Sequence, residues 1–135
     1  MAYNIIDIEG IGPAYAAKLN AAGINNTEDL LAKGGTRAGR KELADATGID
    51  DAKILTWVNH SDLHRIDGIA GQTSELMEAA GVDTVKELAT RNAANLAAKM
   101  EEINAAKKLS GRVPSADQLQ KMIDQAKTLE QKVFH

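Results

Sequence analysis

Residues 8–30 read IEGIGPAYAAKLNAAGINNTEDL, and residues 66–88 read IDGIAGQTSELMEAAGVDTVKEL. A constant shift of 58 positions, Ile8 to Ile66, pairs Gly10 with Gly68, Ile11 with Ile69 and Leu30 with Leu88. It also pairs Ala21-Ala22-Gly23 with Ala79-Ala80-Gly81, Ile24 with Val82, and Glu9 with Asp67. Glycines and apolar residues held in one register over so long a stretch indicate a duplicated supersecondary unit.

Each copy reads as helices joined by tight turns. Pro13 sits just inside a helix start, where its missing N–H is no loss. Ala14 to Ala22 continue that helix, and Gly23 ends it as a left-handed cap. Ile24 packs back, Thr27 caps a short helix, and Leu30 and Leu31 turn inward. The second copy repeats this with Gly81 as the stop, Val82 as the return contact and Asp83 or Thr84 as the next cap.

Outside the repeated stretch, Lys33-Gly34-Gly35-Thr36-Arg37-Ala38-Gly39-Arg40-Lys41 is Gly-rich and basic. A helix is expected from Arg40 to Ala46, stopped by Gly48. Asp50 then caps a helix with a buried stripe of Ile54, Leu55, Trp57 and Val58, and Ser61 restarts the chain toward the second turn. Asn92 caps a helix from Ala93 to Lys108, with Leu96, Met100 and Ile103 on one face. Ser115 caps a last helix with Leu119, Met122, Ile123 and Ala126 inward. Ile49-Asp50-Asp51 matches Val113-Pro114-Ser115 with one extra residue afterwards, so the repeat extends over each half of the chain. No alternating apolar pattern is strong enough for a sheet.

Bulk composition fits this reading. The chain has 135 residues, 44% of them apolar and 3% aromatic, so its core is built from Ala, Leu, Ile, Val and Met. Cysteine is absent, which excludes disulfides, thiolate metal sites and a Cys nucleophile. No apolar run approaches the ~20 residues that span a bilayer. The start carries Asn4, Asp7 and Glu9 in place of a basic and then apolar leader, so a cytoplasmic protein without membrane contact is expected. The formal net charge is −3, which lowers the expectation of nucleic-acid binding, since phosphate neutralisation supplies most of that affinity.

The Gly-Ile-Gly turn has a physical logic. Glycine permits a sharp bend with positive φ, and the isoleucine plugs the bend into the core. The turn opens onto a helix N-terminus whose free N–H groups and positive dipole end can hold a phosphate. Residues Ile8 to Leu19 resemble the helix-hairpin-helix motif of DNA repair and recombination proteins. That resemblance implies two hairpins packed as a pseudo-twofold pair, with hairpin amides touching the DNA backbone without reading sequence. Gly10-Ile11-Gly12 keeps the motif, whereas Gly68-Ile69-Ala70 carries Ala in the third position. The strings IEGIGPAYAAKLNAAGI, RKELADATGI, LTWVNHSDLHRIDGI, AAGVDTVKELATRN and RVPSADQLQKMIDQAK together are similar to a bacterial domain-of-unknown-function family, number 4332. That resemblance implies a tandem helix-hairpin-helix fold and no particular activity.

The expected fold is therefore all-α. Two tandem helix-hairpin-helix units, residues 1–59 and 60–135, are packed as one compact helical domain with a shared core, because each half is small for independent stability. The expected function is non-enzymatic binding. For double-stranded DNA, the contacts would be Gly10, Ile11, Gly12, Ala14 and Lys18 at the first hairpin. Gly68, Ile69, Ala70 and Gly71 would serve at the second, with Arg37, Arg40 and Lys41 adding phosphate contacts. Glu9, Asp67, the base-free start Gln72-Thr73-Ser74-Glu75 and the scarcity of stacking aromatics oppose it. The alternative is a protein-interaction adaptor whose hairpins are purely structural. No cofactor is expected. His60 and His64, with Asp62 between, have metal-ligand spacing but no third ligand, and read as a solvated polar face. Lys33-Gly34-Gly35-Thr36 lacks the spacing of a phosphate loop.

Overall fold

The computed structural model describes residues 3–69 and 71–135; Ala70, expected in the second turn, lies outside the described residues. A 3-10 turn at Ile5–Asp7 is followed by α1 (Pro13–Ala21), α2 (Thr27–Gly34), α3 (Arg37–Thr47) and α4 (Asp51–Leu63). Then come α5 (Gly71–Ala79), α6 (Val85–Leu88), α7 (Ala93–Lys107) and α8 (Ala116–Thr128). Apart from one isolated bridge between Asn4 and Asn26, the described residues form no β-structure.

The duplication read from the sequence is present in the backbone. Gly10 and Gly68 have φ of +92° and +88°, and Gly23 and Gly81 have +86° and +93°, a region that favours glycine. At each first turn an isoleucine amide closes a tight loop, Ile11 N to Ile8 O at 3.1 Å and Ile69 N to Ile66 O at 3.2 Å. After each following helix the amide of Ile24 or Val82 returns to Leu19 O or Met77 O, at 2.9 and 2.8 Å. The later helices match as well. α4 and α8 each span 13 residues, set 65 positions apart, and begin at side-chain caps, Asp50 and Ser115. The other caps follow the same chemistry, with Thr84, Asn92 and Thr36 each accepting a first-turn amide. The cap of α2 is Asn26, not the expected Thr27; its side chain accepts the Asp29 amide, and Thr27 is the first, buried residue of the helix.

Three further expectations change. First, Ser61 does not restart the chain. It lies inside α4, and its hydroxyl donates to Trp57 O at 2.9 Å, which satisfies it within the helix. The boundary placed near Asn59 thus falls inside a helix that both halves share. Second, the apolar side chains gather in two clusters instead of one. The first runs from Ile5 to Val58, with Val133 returning from the C-terminal segment. The second runs from Leu63 to Ala126. Third, the end of α4 is not a solvated face. Asn59, His60, Ser61, Asp62 and His64 are all buried. They form a polar band between the clusters, because α4 passes from one half into the other and is covered on both sides.

Asp62 organises that band. It is 2% exposed. Its Oδ2 accepts the Val85 amide at 2.8 Å and its Oδ1 accepts Arg65 Nη1 at 2.7 Å. Arg65 in turn donates through Nη2 to Glu130 O at 2.8 Å. One carboxylate thus ties α4 to the start of α6 and to the chain beyond α8.

Candidate functional site

One base of the Gly-rich stretch, Arg40, is not free for the expected role. Gly34, Gly35 and Gly39 are buried where α2 meets α3. A Cβ on Gly34 would lie 2.7 Å from Val58 Cγ2, and one on Gly35 would meet the carbonyls of Leu31 and Lys132. Arg40 is 5% exposed. Its Nη1 donates to Gly34 O at 2.9 Å and Gly35 O at 3.2 Å, and its Nη2 to Phe134 O at 2.8 Å. Its guanidinium is consumed in closing the α2 C-terminus onto the C-terminal segment, so it is withdrawn as a phosphate contact. Arg37 and Lys41 remain exposed near the start of α3.

The first turn is accessible. Gly10, Gly12, Pro13, Ala14 and Lys18 are exposed, while Ile11 is buried as the plug. The Ile11 amide is spent on Ile8 O, so the free donors are the first-turn amides of α1, chiefly Ala14 and Tyr15. Helices α2, α3, α4, α6, α7 and α8 all start with a side-chain cap. The N-cap of α1, Gly12, supplies none. Two ammonium groups converge beside this end, Lys18 Nζ at 6.0 Å and Lys53 Nζ at 5.9 Å from the Tyr15 ring centroid. Lys53, from α4, was not among the expected contacts.

The second turn is built differently. Ile69 is buried and its amide bonds Ile66 O. The Glu9 carboxylate from the first half reaches the start of α5, with its Oε2 3.5 Å from where a Cβ on Gly71 would stand. A carboxylate there already answers the positive end of α5, which counts against Gly71 as a phosphate site. Burial, and then the charge of Glu9, push the Glu75 carboxyl up. Gly68 opens instead onto a cleft whose basic groups are Arg112 and Lys121, neither of them singled out by the sequence.

The polar band holds two imidazoles in unlike settings. His60 Nε2 meets Glu78 Oε2 of α5 at 2.5 Å. His64 packs edge-on to Tyr3, with 4.8 Å between ring centroids, and neither of its ring nitrogens has a hydrogen-bond partner. Burial, and then the neighbouring His60, lower the His64 pKa to about 4. The folded state therefore keeps His64 neutral while the unfolded chain takes up a proton near pH 6.5. Its contribution to stability is complete above about pH 6.5 and declines as pH falls toward 4, by on the order of 2 kcal/mol. Urea unfolding at pH 7.0 and 4.5 should show this loss in the native chain and a visibly smaller one in His64→Leu. Equal losses in both would refute the assignment.

Among the described residues no three His, Asp or Glu side chains are grouped to hold a metal ion, and no helix is long and apolar enough to cross a membrane. Neither a curated protein nor a solved structure matches the chain. The family model described as Domain of unknown function (DUF4332) matches residues 9–129, and the chain, all-helical and duplicated as described, belongs to that family.

Proposed function

We propose that the protein is a non-enzymatic binding module of tandem helix-hairpin-helix type that holds the backbone of double-stranded DNA without reading its sequence. The contact surface is the first hairpin: the amides of Ala14 and Tyr15, the exposed backbone of Gly10 and Gly12, and the ammonium groups of Lys18 and Lys53. The observation that carries the proposal is the start of α1, which lacks a side-chain cap and has two lysines beside it. Phosphate supplies what such a helix end lacks. The second hairpin contributes less, because Glu9 stands at its helix start.

The adaptor alternative has less support. Among the described residues the exposed large apolar side chains are Ile6 and Phe134, which do not make an apolar docking patch. The net charge of −3 makes the expected affinity weak, in the ~10⁻⁴–10⁻⁶ M range of non-specific binding. Fluorescence anisotropy with a labelled duplex at low salt should detect binding that weakens as salt is added. Lys18→Ala and Lys53→Ala should each weaken binding to every duplex sequence alike and flatten the salt slope by about 1. Absence of duplex binding at low salt would sink the proposal and leave the adaptor reading.

A further inference from the structure

The two halves are unequal at one pair of matched positions. In the first half Tyr15 and Trp57 pack edge-to-face, with ring centroids 5.0 Å apart. The 58-residue shift places Thr73 where Tyr15 stands, and the 65-residue shift between α4 and α8 places Met122 where Trp57 stands. The equivalence is structural as well. A Cβ on Gly10 would stand 3.3 Å from Trp57 Nε1, and a Cβ on Gly68 would stand 3.1 Å from Met122 Cε. Two aromatic rings have been exchanged for a threonine and a methionine, and the space they would fill is open. A cleft of about 820 Å³ lies there, lined by Gly68, Thr73, Met122, Pro114, Arg112 and Lys121, with Asp67 and two glutamines of α8. That volume is ordinary for a small-molecule site.

The polar groups of the cleft divide into occupied and unoccupied ones. Gln118 Oε1 accepts the Ser115 amide at 2.9 Å, and Gln125 Oε1 accepts the Asp67 amide at 3.0 Å. Both glutamines are therefore part of the wall. Arg112 and Lys121 join none of the ion pairs among the described residues. We propose that this cleft binds a nucleotide-sized aromatic anion, of the chemical class of a nucleoside monophosphate. The ring takes the space that Tyr15 and Trp57 fill in the other half and lies against the Met122 thioether, a favourable sulfur–aromatic contact. The phosphate pairs with Arg112 and Lys121, and a ligand hydroxyl or amino group donates to Asp67. The site is separate from the surface around Lys18 and Lys53 and does not depend on it.

The test is calorimetric titration of the full chain with AMP, GMP, CMP and UMP, beside inorganic phosphate and adenosine as single-part probes. At least one nucleotide should bind with sub-millimolar affinity, at least about tenfold tighter than phosphate or adenosine. The double variant Arg112→Ala/Lys121→Ala should lose at least about tenfold. Met122→Trp rebuilds the first-half packing, so it should abolish binding while leaving the melting temperature unchanged or raised. Should Met122→Trp fail to fold, Thr73→Tyr closes the same space from α5 and must weaken binding. Lys18→Ala/Lys53→Ala must leave nucleotide affinity unaltered. The proposal is overturned by the absence of saturation with every nucleotide up to several millimolar, or by phosphate binding as tightly as the nucleotides. Undiminished binding in a folded variant with the cleft filled overturns it equally.

Discussion

Asp62→Ala is expected to destabilise the protein by about 3–5 kcal/mol, the range for breaking a buried ion pair by removing one partner. The carboxylate is 2% exposed and accepts two donors, the Val85 amide and Arg65 Nη1. Truncation strands a buried backbone N–H at the start of α6 and leaves the Arg65 side chain, 17% exposed, bonded only to the Glu130 carbonyl. Asp62→Asn separates the contributions. Its amide oxygen can still accept from one donor while its charge is gone, so a smaller loss, about 1–2 kcal/mol, is expected. Urea denaturation followed by Trp57 fluorescence and by far-ultraviolet circular dichroism reads both variants. Trp57 lies in the first cluster, whereas α5 to α8 surround the second. Because Asp62 fixes α4, the helix both halves share, to α6 and the chain beyond α8, the probes are expected to coincide in the native chain and to separate in Asp62→Ala. A loss under about 1 kcal/mol with coincident probes would show that the polar band does not couple the halves.

Much of this arrangement was legible in the residues and some was not, for identifiable reasons. The 58-residue shift carried the positive-φ glycines and the return contacts of Ile24 and Val82, and cap chemistry gave Asp50, Asn92, Ser115 and, of the pair Asp83 or Thr84, the one that caps α6, because these depend on local backbone chemistry. His60, Asp62 and His64 were expected on a solvated face because short polar motifs usually are. Their burial comes from tertiary closure of two halves on a shared helix, which local periodicity does not reveal. Arg40 failed as a phosphate contact for a related reason. Its partners include Phe134 O, 94 residues away, and no spacing rule announces such a contact. Lys53, Arg112 and Lys121 were missed because each meets its turn from another helix or loop. A signal for them did exist. Aligning Trp57 with Met122 and Tyr15 with Thr73 shows that the second half lacks two rings, and asking what fills that volume leads to the cleft.

The Gly-rich stretch yields the second large effect. By helix propensity alone, Gly39→Ala would favour α3. The packing around Gly39 outweighs that gain. Gly39 is buried in the first turns of α3, and a Cβ there would run into the Lys33 carbonyl and lie 3.1 Å from the Thr36 hydroxyl that caps the same helix. Backbone on one side and the cap on the other leave no flexible side chain to yield. The helix must shift, carrying with it Arg40 and its bonds to Gly34, Gly35 and Phe134. Gly39→Ala is therefore expected to cost about 3 kcal/mol or more, above the usual range for overpacking because the obstacle is main chain. Gly12 provides the contrast. Its φ is −93° and a Cβ would meet nothing within 4 Å, so Gly12→Ala should cost about 1 kcal/mol or less, the ordinary price of alanine at an N-cap. Thermal and urea unfolding of the two variants compare them directly. Equal stabilities would mean that α2 and α3 are not held as closely as described. A large loss confined to Gly39→Ala assigns the glycines at 34, 35 and 39 to helix packing, and leaves Gly12 as a glycine that the fold itself does not demand.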